Sequence, residues 1–229
     1  VQHLVVLGQA DVALHHVAVV HHAVVHHVVG GLGDGLGGLG FVAAGQELAT
    51  QIAAGELPHP GRIYVTGGSA GTSAGLAIGL AAAGVATHIR IISAVETIGF
   101  NRLMYTRMLA QIFTCMRKHG FDRGGRVGAF LREAGVTWSI DHSQVGPGYA
   151  VPTAAGKQAL ATASNGGLNL ETTYTGKCVA AMLKELETEA IDGPVLFWNT
   201  HAANDLRPRI VEGWESKLPP VLARAVRLD

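Results

Sequence analysis

Cysteine is nearly absent from this chain, with only Cys115 and Cys178 in 229 residues. Two cysteines make no disulfide framework, so stability must come from a packed core and a reduced, cytoplasmic setting is expected. Charge is also scarce. Asp, Glu, Lys and Arg make up 15% of the residues and balance at 17 of each sign. No basic field exists for nucleic acid, and no acidic tail. Residues 1–40 contain no Ser, Thr, Lys, Arg, Glu, Pro, Ile or aromatic residue. A basic n-region is missing, so no signal peptide is read, and histidine pairs break the apolar N-terminus too often for a membrane span. What remains is a chain that is 48% hydrophobic and long enough to bury a core. So little charge on that much apolar sequence points to surface buried against a partner, which we expect to be a second copy in a homodimer.

The stretch that organises the rest is Ile63–Leu80, IYVTGGSAGTSAGLAIGL. Ile63, Tyr64 and Val65 read as a buried strand, Thr66 to Thr72 as a tight loop, and the Ala/Leu/Ile segment after it as a helix. Two readings fit. One is an ordinary strand–helix turn that needs glycine for packing. The other is a phosphate seat, in which helix N–H groups and the positive end of the helix dipole face an anion. Hydroxyls alternating with glycines favour the phosphate. No Lys-Ser/Thr follows the last glycine and the spacing misses GxGxxG, so neither a Walker loop nor a dinucleotide site is expected here.

The first forty residues hold two decoys. His3, His15, His16, His21, His22, His26 and His27 crowd together, and on a helix His15, His22 and His26 would share a face. The tract is rich in valine, which disfavours that helix, and no carboxylate supports the imidazoles, so no metal site is assigned. Gly35–Gly40 and Gly33–Gly38 both match GxGxxG, as overlapping glycine tracts do by chance. Every residue type in the segment has codons beginning with G or C. Residues 1–40 are therefore set apart as a low-complexity segment, with 1 to about 30 expected to be out-of-frame sequence, and 41–229 as one cofactor-binding α/β domain.

Along that domain the pattern predicts a helix over Phe41–Ala54, a second strand over His88–Val95, a long helix over Asn101–His119, a short one over Gly124–Ala134, and a third strand over Val136–Ile140. The loop from Gly146 to Thr153, GPGYAVPT, ends at a helix N-cap. Helices over Ala154–Ala163 and Cys178–Glu189 follow, then a buried strand over Pro194–Asn199 with Thr200 at its C-terminal end. Alternating strands and helices imply a three-layer doubly wound α/β architecture with a mostly parallel sheet. The cluster Arg102, Arg107, Arg117 and Lys118 reads as the long helix's solvated face.

Four motifs in this order, GRIYVTGGSAGTSAGLAIGLAAAG, GPGYAVPT, TYTGK and VLFWNT, resemble the pyridoxal-phosphate enzymes of fold type II. The similar group within them is the D-cysteine desulfhydrase / 1-aminocyclopropane-1-carboxylate deaminase family, over about Val29 to Thr200. The resemblance implies the tryptophan synthase beta-like fold and pyridoxal 5'-phosphate as cofactor. It gives Thr66, Gly67, Gly68, Ser69, Ala70, Gly71 and Thr72 the cofactor phosphate and Thr200 the pyridine nitrogen. It sets Tyr149 at the substrate and makes Tyr174 an acid, base or nucleophile. It implies loss of a beta leaving group from a small amino acid, giving a keto acid and ammonia. Thr175 stands where ring-opening deaminases carry glutamate, which leans toward the desulfhydrase branch. The family's Schiff-base lysine lies in a GGNK-like segment that this chain lacks. None of Lys118, Lys157, Lys177, Lys184 and Lys217 has that context, and Lys177 reads as a helix-start residue. The expectation is a chain matching the C-terminal part of such an enzyme, inactive alone. The alternative is a non-enzymatic phosphate-binding or dimer-forming remnant.

Overall fold

The computed structural model describes residues 17–21, 36–189, 191, 193–201 and 207–219. Five strands form one sheet in the order β1-β5-β2-β3-β4, and every pairing is parallel. They are β1 (Val17–His21), β2 (Arg62–Gly67), β3 (Thr87–Ser93), β4 (Val136–Asp141) and β5 (Val195–Asn199). The helices are α1 (Leu36–Ala53), α2 (Gly71–Ala82), α3 (Arg102–Lys118), α4 (Val127–Glu133), α5 (Ala154–Asn165) and α6 (Thr175–Thr188). Each strand from β2 onward lies within two residues of its expected range, and the parallel α/β expectation holds.

Alternation along the strands divides the core in two. Ile63 and Val65 of β2, Ile89 and Ile91 of β3 and Leu196 and Trp198 of β5 join α1 to α4 on one face. Tyr64, Ile92, Val195 and Phe197 pack with α5 and α6 on the other. The sheet is thus the middle of three layers.

Two findings differ from expectation. Helix α1 begins at Leu36, five residues before Phe41, and absorbs most of the glycine tract that matched GxGxxG. Packing is the reason. A Cβ on Gly79 of α2 would stand 2.2 Å from the Val42 carbonyl oxygen, one on Gly75 2.5 Å from the Gly38 oxygen, and one on Gly45 2.9 Å from the Leu76 oxygen. The two helices touch backbone to backbone along these glycines. In addition, the Val-rich stretch Val17–His21 is an edge strand in register with Val195–Asn199, as β-branched residues favour. The remaining histidines of that tract lie outside the described residues.

Candidate active site

Strand β2 ends at Gly67, and the chain turns through Gly68, Ser69 and Ala70 into α2. Ala70 is left-handed (φ 71°) and leaves the helix without a side-chain cap. The amides of the first turn of α2 are therefore uncapped by any side chain, and they carry the positive end of the dipole. Gly67 is fixed by packing, since a Cβ there would meet Ile91 Cγ2 at 2.6 Å and Phe100 Cε1 at 2.7 Å. Gly68 faces open space bounded by the Tyr174 ring, 3.5 Å from where its Cβ would be, and Gly71 has nothing within 4 Å.

This loop opens onto a cavity of about 920 Å³ at the C-terminal ends of the strands. Thr66, Gly68, Ser69, Ala70, Thr72, Tyr149, Tyr174 and Thr200 all line it. Gly67 and Gly71 stand behind the wall, one at the strand end and one at the helix start. Four segments far apart in sequence thus meet where parallel sheets collect ligands. Sequence reasoning missed the opposite wall, where Val95, Gly99 and Phe100 lead into Met104, Arg107, Met108 and Gln111 of α3. The spacing of Met104, Met108 and Gln111 down one helix face was the available signal. Arg107 therefore borders the cavity, and Arg102 lies 4.7 Å over the Trp138 ring, so the basic cluster is not solely a solvated face.

Each tyrosine is aimed by its loop. Two left-handed residues, Gly146 (φ 69°) and Ala150 (φ 61°), bend the segment that carries Tyr149. The Tyr149 amide donates to Glu96 Oε1 at 3.1 Å. Thr153 caps α5 as expected, its Oγ1 accepting from Gly156 N at 3.0 Å. Tyr174 precedes α6. Glu171 gathers the amides of Thr173 (2.6 Å), Tyr174 (2.8 Å) and Thr175 (2.6 Å). Burial alone would raise the Glu171 carboxyl, but these donors outweigh it and hold its pKa below the ordinary carboxylate range. The Thr175 hydroxyl also bonds Glu171, and Gly176 lets α6 approach α5, where a Cβ would stand 2.2 Å from Leu160 Cδ1.

The two phenols meet directly. Tyr149 Oη and Tyr174 Oη share a hydrogen bond, with ring centroids 6.0 Å apart. Burial first, then this bond, then the negative charge of Glu171 push Tyr174 up to about 12. Lys177 is wholly buried and its Nζ donates to the Val145 carbonyl at 2.8 Å. It lies in the first turn of α6, as its position suggested, with its side chain turned inward. No lysine lines the cavity among the described residues. No cluster of His, Cys, Asp or Glu there is arranged to hold a metal ion, and no described helix is long and apolar enough to cross a membrane. Both cysteines are free, Cys178 with its thiol pushed up to about 12 by burial.

No protein-family model matches the chain. It is 33% identical over 171 residues to the D-cysteine desulfhydrases of Salmonella paratyphi C (strain RKS4594) and Salmonella choleraesuis (strain SC-B67), an alignment covering 73% of this chain and 47% of each relative. The chain thus spans about half the length of the curated relatives it matches. Among solved structures, an ACC deaminase homologue matches with a TM-score of 0.57 at 21% identity, over 75% of this chain and 47% of that one. The resemblance drawn from the four motifs is borne out, and so is the fold class.

Proposed function

From a chain that has the ACC deaminase homologue's fold and a third of its aligned residues in common with D-cysteine desulfhydrases, we propose the phosphate-holding and tyrosine-bearing part of a pyridoxal-phosphate-dependent lyase. Its reaction would be alpha,beta-elimination on a small amino acid, yielding a keto acid and ammonia. One observation carries this: eight residues chosen from four separate motifs line one cavity.

The residues present suit the cofactor. Its phosphate would sit on Ser69, Ala70, Gly71 and Thr72, where α2 offers uncapped amides and two hydroxyls. Thr66, at the end of β2, borders the same space. Thr200 would face the ring nitrogen. When bound, the cofactor supplies the electron sink for a carbanion at the substrate's alpha carbon. The chain's own part is to orient and to move protons. With Tyr174 at about 12, the phenol keeps its proton at neutral pH. The Tyr149–Tyr174 pair can pass one proton between two oxygens at the substrate's side of the cavity.

Among the described residues no lysine lines the cavity, which supports a second reading for this chain alone: it seats the phosphate without turnover. Pyridoxal phosphate and unphosphorylated pyridoxal, compared by absorbance titration, test the seat. Tight binding of the phosphate ester only, weakened at least about tenfold in S69A/T72A, is expected, by loss of two donors to an anion. Equal binding of both compounds would overturn it. Borohydride then separates the readings: no covalently retained cofactor means that the chain alone cannot anchor it, whereas retention together with keto acid release shows the complete lyase. The same reading carries a homodimer in the cytoplasm, supported by the exposed Ile98 and Leu103 near the cavity, and size-exclusion chromatography checks the dimer.

A further inference from the structure

The three arginines of α3 have three different surroundings. Arg102 lies over Trp138, 4.7 Å from the ring centroid. Arg117 lines a separate cleft with Phe113 and Arg132. Arg107 alone of the three lines the cavity at the strand ends, where it shares a helix face with Met104, Met108 and Gln111. Among the described residues of that lining it is the one charged side chain. No described carboxylate neutralises it, since the ion pairs among the described residues all belong to Arg62 and Arg90.

Placement adds to charge. Arg107 is exposed, and its neighbours in the lining Met104 and Tyr149 are 46% and 52% exposed, so it stands at the mouth of the cavity and not at its floor. Its guanidinium offers donors in a planar fork that fits a carboxylate or a phosphate. The start of α2 brings the same sign to another wall, because its first turn has no side-chain cap. Positive charge on two walls, with no acid between them in the described lining, attracts anions, and partly apolar walls strengthen that attraction over open water.

We propose that Arg107 is an anion-binding residue of this cavity, taking an oxyanion of the bound small molecule from the α3 wall. Two sources have that chemistry, the carboxylate of an amino acid and a phosphate group. The inference deepens the lyase reading, and rests on it for its biological meaning, by giving the α3 wall a part in selecting an anionic ligand. Arg107 binds there and moves no proton.

Phenylglyoxal, which modifies accessible guanidiniums, tests this on the unaltered ligand-free chain, with the rate at each arginine read by peptide mass spectrometry. The probes are inorganic phosphate, D-alanine and D-alaninamide, at an ionic strength held constant with sodium chloride. Engaged by an oxyanion, Arg107 should react at least about threefold more slowly, while Arg117 keeps its rate. Protection by phosphate alone assigns Arg107 to the phosphate group, protection by D-alanine alone assigns it to the carboxylate, and protection by both supports the inference for either source. No protection overturns it, and so does equal protection by D-alaninamide, which lacks the carboxylate. R107Q then has to bind the protecting probe at least about fivefold more weakly in isothermal titration. Unchanged affinity would mean that the probe only shields the side chain, and overturns the inference as well. The comparison of pyridoxal phosphate with pyridoxal reads the seat at Ser69 and Thr72 separately, so the seat and the Arg107 contact can each fail without the other.

Discussion

The two faces of the sheet are built from opposite materials. On the α1–α4 face, aliphatic and aromatic side chains, among them Phe100, Tyr105, Phe113, Phe130 and Trp198, fill the space with bare glycine backbone, and α1 and α2 meet with no side chain between them at Gly45 and Gly79. On the α5–α6 face, charge is brought inside. Glu185 accepts from Tyr64 Oη at 2.6 Å, Arg62 at 3.0 Å and Arg90 at 2.5 Å, and Arg62 also reaches Glu189 at 3.0 Å. His88 bridges Thr137 and Ser139 at 2.9 and 2.8 Å. Both tyrosines of the candidate site belong to the polar face, through α6 and the loop into α5. The apolar face fixes where the turn between β2 and α2 lies, and the polar face fixes how the phenols point. A dry contact tolerates no added atom, whereas a network of paired charges tolerates no missing one.

Four measurements would break or sharpen that contrast. The largest effect is expected at the helix contact, where Gly79→Ala puts a methyl 2.2 Å from the Val42 oxygen. Because backbone has to move, the loss should be at least about 3 kcal/mol in urea unfolding, and a neutral result would mean that the glycine contact is not close. Next comes Glu185→Gln, which leaves two guanidiniums without their shared anion. Both arginines are partly solvated, at 21% and 23% exposure, so the expected cost is about 2 kcal/mol. A full double-mutant cycle with R90M should show coupling, and simple additivity would reduce the network to independent contacts.

The third effect is smaller and depends on pH. Burial first, and then the Arg62 and Arg90 charges, lower the pKa of His88 below its ordinary value of about 6.5. Between the folded value and that ordinary value the unfolded chain holds a proton that the folded chain does not, so stability rises with pH across this window. Acidifying below about pH 6.5 should therefore weaken the fold, and His88→Gln should flatten that limb of the unfolding midpoint plotted against pH. An unchanged slope would assign the limb elsewhere. The smallest effect is expected from Arg102→Ala on the other face, where losing the stack on Trp138 should cost about 0.5 to 1 kcal/mol and change tryptophan fluorescence.

Where the sequence was readable, period and turn chemistry carried it. Ile63, Ile89 and Val136 each sit in a β-branched run and Val195 in an apolar one, all bounded by turns, so the parallel sheet from β2 onward was legible, and Thr153 announced its own cap. A turn between strand and helix was legible in the stretch Thr66 to Thr72 because its glycines and hydroxyls break both periodic patterns, although only residues 68–70 lie outside β2 and α2. The misses have physical reasons. The start of α1 hid in Gly35–Gly40 because glycine's poor helix propensity is overridden by the α2 contact, which lies far away in sequence. Arg107 belongs to a charged helix whose inner wall is revealed only by its neighbours across the cavity. Lys177 could not be identified as buried, because its acceptor, Val145, is thirty-two residues away. The strand at Val17–His21 lay inside a tract whose composition concealed its pattern.

Ala70 is a methyl-bearing residue in a conformation where glycine would be at ease, with φ 71°. That posture costs about 1 kcal/mol, yet it narrows the shapes available to the turn. On the proposed reading, an anion arriving at α2 would meet a helix start with no side-chain cap and a turn already held in one shape. Ala70→Gly would relieve the discomfort and loosen the turn, so thermal resistance should hold or rise while grip on a phosphate ester falls. On the proposed reading, rigidity at this one residue would let so small a loop discriminate.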